Sequence, residues 1–226
     1  MINIAIDGLS GSGKGELAKG LSKNFNLKHL DTGAIFRTMG IIFWKKKIAD
    51  PTESEVNQFL SEAKVEINFD SNSQRMILNG EDVTPFLREE EVSKLASKVS
   101  AYPYAREKYL EVVGEFANNY DCVIDGRDIT SIVLPQADVK IYLTADERTR
   151  AERRYNENVS KNIACTFEEV LANLQERDYR DTHRDVAPLI IVDDAVVVDN
   201  TNISIEETIE KCSQIIRERL SNKNNA

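Results

Sequence analysis

The segment that most restricts the fold lies at the N-terminus. Ile2-Asn3-Ile4-Ala5-Ile6 is a short β-branched run, and Asp7-Gly8-Leu9-Ser10-Gly11-Ser12-Gly13-Lys14-Gly15 follows it directly. Leu17, Leu21 and Phe25 then recur on one helical face. Strand, glycine-rich loop and helix, in that order, are what a phosphate-binding loop requires. Gly8, Gly11 and Gly13 let the backbone curl so that its N–H groups converge on an anion. The helix N-terminus adds a partial positive charge and Lys14 a full one. The alternative is a glycine-rich turn with a chance lysine, and the flanking strand and helix argue against it. Where the usual pattern has a Ser or Thr whose hydroxyl binds magnesium, this chain has Gly15, and Glu16 comes next. Glu16 could oppose a triphosphate by about 1–4 kcal/mol, or turn to solvent as an ordinary acidic residue of a first helical turn. The second reading is favoured.

Beyond this loop, short β-branched runs alternate with longer helical patterns, the signature of a parallel sheet covered by helices. Strands are expected at Asn3 to Ile6, Lys28 to Leu30, Cys122 to Ile124, Val139 to Leu143 and Ala195 to Val198. Capping boxes start helices at Thr52 with Glu55, Thr166 with Glu169 and Ser204 with Glu207. After the last of these, Ile205, Ile209, Cys212, Ile216 and Leu220 share one face. One stretch breaks the rhythm. Val65, Ile67 and Phe69 alternate, Asp70-Ser71-Asn72-Ser73 turns the chain, Met76 and Leu78 alternate again, and Asn79-Gly80 marks a second turn. That is a small antiparallel sheet inserted into the α/β body, followed by helices near Glu89 to Ser100 and Pro103 to Ala117. The polar tail 221–226 is expected to fray.

Composition excludes some partners. A net charge of −9 on 226 residues disfavours a general nucleic-acid or anionic-membrane surface. A polyphosphate must then be met by a local basic cluster, and Arg148, Arg150, Arg153, Arg154, Arg177, Arg180 and Arg184 supply one. Arg148 and Arg150 are expected to belong to a solvated, salt-bridged helix surface. Cys122, Cys165 and Cys212 form no metal or redox motif, which points to a reducing compartment. No apolar run approaches the roughly 18 residues of a membrane span, and no cleavable leader precedes the first strand. A cytoplasmic monomer is the expectation.

Four further segments carry chemistry: Asp31-Thr32-Gly33-Ala34-Ile35-Phe36-Arg37, Ser97 to Arg106, Asp125-Gly126-Arg127-Asp128 at the end of a core strand, and Glu176-Arg177-Asp178-Tyr179-Arg180-Asp181-Thr182-His183-Arg184. Hydroxyls and arginines at strand ends suit bound phosphates and sugars. With the glycine loop, these segments resemble the bacterial cytidylate kinases, a family of P-loop nucleoside-monophosphate kinases, from Ile2 to about Leu220.

The resemblance implies a P-loop kinase with a five-stranded parallel sheet flanked by helices. Core segments would be 1–60 and 119–220, an inserted monophosphate-binding region about 61–118, and a mobile lid about 150–186. It also implies transfer of phosphate from ATP, with Mg2+, to CMP or dCMP. The loop from Gly8 through Leu9, Ser10, Gly11, Ser12, Gly13, Lys14, Gly15 and Glu16, together with Arg153, would hold ATP. Thr32, Arg37 and Arg127 would contact the acceptor phosphate, and Ser97, Arg106 and Asp128 would read cytosine. Arg177 and Asp181 would hold the sugar, and Arg184 would join the phosphate cluster. Lys14, Arg127, Arg177, Arg180 and Arg184 would stabilise the moving phosphoryl group. Asp125 either organises magnesium, directly or through water, or caps its turn. Asp7 is read as a loop-stabilising acceptor, His29 and His183 as non-catalytic, and Trp44, Tyr102, Tyr104 and Tyr109 as packing residues.

The chain departs from the family at Glu16, at Phe36 and Leu9 (usually Tyr and Pro), and at Thr130 (usually Gly). Two alternatives stand beside the main reading. One is a same-fold kinase of UMP, AMP or a metabolite hydroxyl; the other is a nucleotide-binding regulatory module without turnover.

Overall fold

The computed structural model describes residues 1–70 and 73–224, with side chains placed through Asn222. In chain order the elements are β1 (Asn3–Gly8), α1 (Lys14–Phe25), β2 (Lys28–Asp31), α2 (Gly33–Lys45), α3 (Glu53–Ser61), β3 (Val65–Asp70), β4 (Ser73–Leu78) and β5 (Glu81–Asp82). There follow α4 (Glu90–Val99), α5 (Pro103–Asn119), β6 (Cys122–Gly126), a π-helical turn at Ile129–Val133, β7 (Val139–Thr144), α6 (Glu147–Ser160), α7 (Phe167–His183), β8 (Val196–Asp199) and α8 (Ile205–Asn224). Five strands form a parallel sheet in the order β2-β6-β1-β7-β8, and β3-β4-β5 form a separate antiparallel sheet.

The chain divides into two compact units. One comprises residues 2–27 and 122–226, the other Met1 and residues 28–121. The first is built around β1, whose Ile6 lies opposite Asp125 of β6 and Ile141 of β7. Ile4, Ala5 and Ile6 are all fully buried, the unbroken apolar run of a strand covered on both faces. Leu17, Ala18 and Leu21 of α1 and Cys212 and Ile216 of α8 join them in the core. Ile205, Ile209 and Leu220 pack against that core from the same side of α8, as their spacing predicts. All three capping boxes form.

In the second unit β3 and β4 are antiparallel, with Val65 opposite Leu78. Asn79 and Gly80 both take positive φ, 52° and 84°, the requirement of a two-residue hairpin turn. Of the other expected turn, Ser71 and Asn72 lie outside the described residues.

The second unit begins at Lys28. Helix α2 crosses α4 so closely that a Cβ on Gly40 would lie 3.0 Å from Ala96 N and 3.1 Å from Val92 O. The Asp31 N–H also donates to Gln74 Oε1 at 2.8 Å, which ties the end of β2 to β4. Of the tail 221–226 expected to fray, the last two residues lie outside the described residues, and among the described ones α8 continues to Asn224. No proline or glycine interrupts it there, so the backbone hydrogen-bond ladder carries on.

Candidate active site

The phosphate loop owes its shape to three glycines. Gly8, Gly11 and Gly13 have φ of 151°, 72° and 90°. A Cβ on Gly8 would fall 2.0 Å from Leu143 O, so only glycine permits β1 to lie this close to β7 there. Gly13 stands at the N-cap of α1 with no side chain to cap it, which leaves the first N–H groups of the helix for an anion. Lys14 is buried, and its Nζ donates to Leu9 O at 2.7 Å and lies 3.4 Å from Ser12 Oγ. Burial, with Arg127 and Arg177 adding repulsion, holds this ammonium well below the usual lysine range, while Asp125 and Asp7 oppose the shift. Glu16 faces outward, with its carboxylate 67% exposed and paired with Lys19 at 2.7 Å.

The loop is braced from behind. Asp7 is buried; its Oδ1 accepts from Ile129 N at 3.0 Å and its Oδ2 from both N and Oγ1 of Thr130 at 2.7 Å. Burial raises the Asp7 carboxyl, and these donors and Lys14 counter it. Asp7 is thus a loop-stabilising acceptor, as its position implies. The Thr130 hydroxyl donates to the buried Asp7 carboxylate and adds to the brace.

Around Lys14 the same unit gathers several of the residues singled out in the sequence. Arg127 Nε donates to Asp181 Oδ2 at 2.7 Å. Burial acts to raise the Asp181 carboxyl, but Arg127, Arg177 and Arg184 outweigh it and hold it below the usual range. Arg184 Nη2 is 3.9 Å from Asp128 Oδ1, and Asp128 is buried. Asp125 is nearly buried at the end of β6. Among the described residues no three His, Cys, Asp or Glu side chains group to form a metal cage.

Not every predicted arginine joins this group. Arg180 is 53% exposed on α7, with its Nε 3.8 Å from Glu176 Oε1. Arg148 and Arg154 are exposed and paired with Glu152 and Glu157. Arg153 donates to Asn200 Oδ1 at 2.9 Å and to Asn200 O at 2.7 Å, while Asn200 Nδ2 donates to Ser12 O at 3.0 Å. Arg150, expected on a solvated surface, is only 4% exposed. Its guanidinium is the right length to satisfy carbonyls of the loop and of the end of β7, which offsets the cost of burying it. Sequence reasoning missed Asn200, Asp178 and the bracing role of Arg150. Asn200 does close a strand at the carboxyl edge of the sheet, where ligands collect, and that was a usable signal.

The second unit holds the remaining candidates. Arg37 turns back from α2 so that its Nη2 lies 2.5 Å from Asp31 Oδ2, beside Gly33, where a Cβ would meet Arg37 Nη1 at 2.9 Å. Burial acts to raise Asp31, yet Arg37, His29 and Arg88 lower it overall. The Arg37 Nε is buried and has no hydrogen-bond acceptor among the described residues. Thr32 is buried at the N-cap of α2. Arg106 is buried, donates to Ser100 O at 3.3 Å and lies over the rings of Phe36 and Tyr109, which stack 4.6 Å apart. Ser97 is exposed, and its carbonyl accepts from Ser100 Oγ at 2.9 Å. Phe36 and Tyr109 are therefore a packed aromatic pair under Arg106. Trp44 packs on Phe86, as a packing residue should.

A parallel sheet that opens with a glycine loop, a buried loop lysine and a cluster of arginines on the following helices defines a P-loop phosphotransferase. The comparisons with known proteins narrow the class. The family model for cytidylate kinase matches residues 4–218. A cytidylate kinase from Streptococcus sanguinis is 40% identical over 220 residues, covering 95% of this chain and 98% of that protein. One from Leuconostoc mesenteroides subsp. mesenteroides is 38% identical over 218 residues, covering 96% and 97%. The chain belongs to the cytidylate kinase family, whose members phosphorylate CMP and dCMP. An uncharacterized protein from Eubacterium ventriosum shares the fold alone, with 13% identity and a TM-score of 0.53 over 96% of this chain and 99% of that one.

Proposed function

We propose that this kinase transfers the terminal phosphoryl group of ATP to CMP and dCMP, with the residue roles that the family resemblance implies. The observation that carries the reading is that Arg127 and Arg177 act on the buried Lys14, while Arg127 donates to Asp181 and Arg177 and Arg184 act on the same carboxylate. Phosphoryl transfer needs positioning and neutralisation of charge more than covalent chemistry, and this cluster offers both. The loop N–H groups and Lys14 hold the phosphates of ATP. No general base is needed, because the acceptor is already an anion.

The buried Nε of Arg37 is a donor in want of an anion, which supports its role toward the acceptor phosphate, with Thr32 and Arg127. Asp128 and Ser97 accept from the cytosine amino group, and Arg106 donates to the ring acceptors. Uracil would set a carbonyl against the buried Asp128 carboxylate, a strong ground for rejection. Arg177 and Asp181 hold the sugar.

Among the described residues no three His, Cys, Asp or Glu side chains group as a cage, so Asp125 would share a Mg2+ with phosphates and water, and that ion would neutralise phosphate charge. No described helix is long and apolar enough to cross a membrane. The net charge of −9 supports an enzyme that binds no nucleic acid, and a cytoplasmic monomer is proposed with it.

The test is ADP release from ATP and magnesium, with CMP, dCMP, UMP and AMP offered separately beside an acceptor-free control. Release with CMP and dCMP alone is expected, and equal release with UMP would refute the cytosine assignments. Asp128→Asn should blunt the preference for CMP over UMP about tenfold or more. An unchanged ratio would remove Asp128 from base reading.

A further inference from the structure

Asp178 lies beside Arg177 on α7, and its carboxylate is turned to the phosphate loop. Oδ1 accepts from Ser10 N at 3.0 Å, and Oδ2 pairs with Arg150 Nη1 of α6. The same Nη1 donates to Ser10 O at 2.9 Å, and Arg150 Nε donates to Ala145 O at 3.0 Å. The N–H and the C=O of one loop residue are thus both engaged by side chains of the two arginine-bearing helices. The Arg150 side chain is 5% exposed and that of Asp178 13%, so neither charge has much water to fall back on when the pair parts.

Packing repeats the message. A Cβ on Gly11 would lie 2.9 Å from Arg150 O and 3.3 Å from Leu174 Cδ1, so α6 and α7 rest directly on the loop. One turn beyond Asp178, Asp181 grips Arg127. Arg177 directly precedes Asp178 and stands one turn before Asp181, and its charge is felt at Lys14.

We propose that Asp178, through Arg150 and Ser10, is a positioning residue for Arg177: it latches α7 onto the phosphate loop so that the Arg177 guanidinium is aimed at the phosphoryl group in transfer. This rests on the phosphotransfer reading above. Opening α7 breaks the buried pair and frees the Ser10 peptide, and closing α7 restores both. The latch therefore ties the shape of the loop to the placement of the arginine.

Asp178→Asn keeps the size of the side chain and an acceptor for Ser10 N–H but leaves Arg150 unneutralised. The kcat for CMP phosphorylation should fall about 10–100-fold, while the Kd for ATP, measured by calorimetry, stays within about threefold. The decisive readout is a double-mutant cycle. In an Arg177→Ala background, Asp178→Asn should lower kcat by less than about twofold, because its effect passes through Arg177. Effects that simply multiply, or an Asp178→Asn enzyme with wild-type kcat, would overturn the proposal. If Asp178→Asn lowers the melting temperature too far to assay, Arg150→Lys takes its place in the cycle with the same expectation. Hydrogen exchange needs no acceptor. Exchange should quicken in the peptides covering the loop and α7, and not in α8; unchanged exchange there would overturn the latch even in a protein that ignored CMP. Lack of CMP turnover in the wild-type protein would instead refute the cytidylate reading.

Discussion

The phosphate loop and the helix pair α6–α7 carry charge to the same chemistry but are held by different physics. The loop is fixed by backbone stereochemistry: positive φ at Gly8, Gly11 and Gly13, and strands too close to admit a Cβ. The helices are fixed by side chains that reach far along the chain, Arg150 and Asp178 to Ser10, Arg127 to Asp181, and Arg153 to Asn200. Backbone constraints persist in every state of the protein. Buried ion pairs depend on both partners staying in place, so the helices hold their position only while those pairs are closed. The arginines also divide by role. Arg150 and Arg153 brace the loop, while Arg127, Arg177 and Arg184 act on Asp181 and are the ones proposed to meet the phosphates.

The largest expected effect tests the loop side of this contrast. Lys14→Met should lower kcat/KM about 10²–10³-fold or more, with little loss of stability, because its buried ammonium is already held at a cost. A drop of only a few fold would mean that the arginines suffice without the loop. Asn200→Ala cuts the link between α6 and the loop and leaves Ser12 O short of a donor. It should cost about 1–3 kcal/mol, seen as a melting temperature lower by several degrees, and raise the KM for ATP. Unchanged thermal unfolding would show that Arg153 and the loop are independent.

Acid stability addresses the helices. Arginines depress the Asp181 carboxyl, so in acid the unfolded chain binds more protons than the native one. The stabilisation is present above the ordinary carboxylate range and is lost as pH falls through the depressed value. Asp181→Asn should flatten that acid limb in denaturant titrations below about pH 4; an unaltered limb would assign it to other carboxylates. The smallest effect is expected at Glu16. Its carboxylate is exposed and paired with Lys19, so Glu16→Thr should change the KM for ATP by less than about twofold. A marked improvement would show that its charge reaches the phosphates.

Much of this architecture was legible in local pattern. The five parallel strands, the inserted hairpin with its Asn79-Gly80 turn, the three capping boxes and the apolar face of α8 all express short-range rules of period, turn and cap. Glycine spacing, with Lys14 following, announced the phosphate loop, because its conformation is a property of consecutive residues. Arg150 shows where such rules stop. Its sequence neighbours are charged, so it reads as surface, yet the fold carries it to Ser10 and Asp178.

Sequence by itself thus determined the elements, the loop and the kinds of charge available for phosphoryl transfer. Tertiary structure alone decided which arginines hold the loop and which gather at Asp181. It alone decided that Thr130 strengthens the brace on Asp7, and that the unit containing α2 begins at Lys28. The physical reason is range. Backbone preferences act over a few residues, whereas a buried ion pair joins groups far apart in the chain, and its partner is known only once the chain has folded.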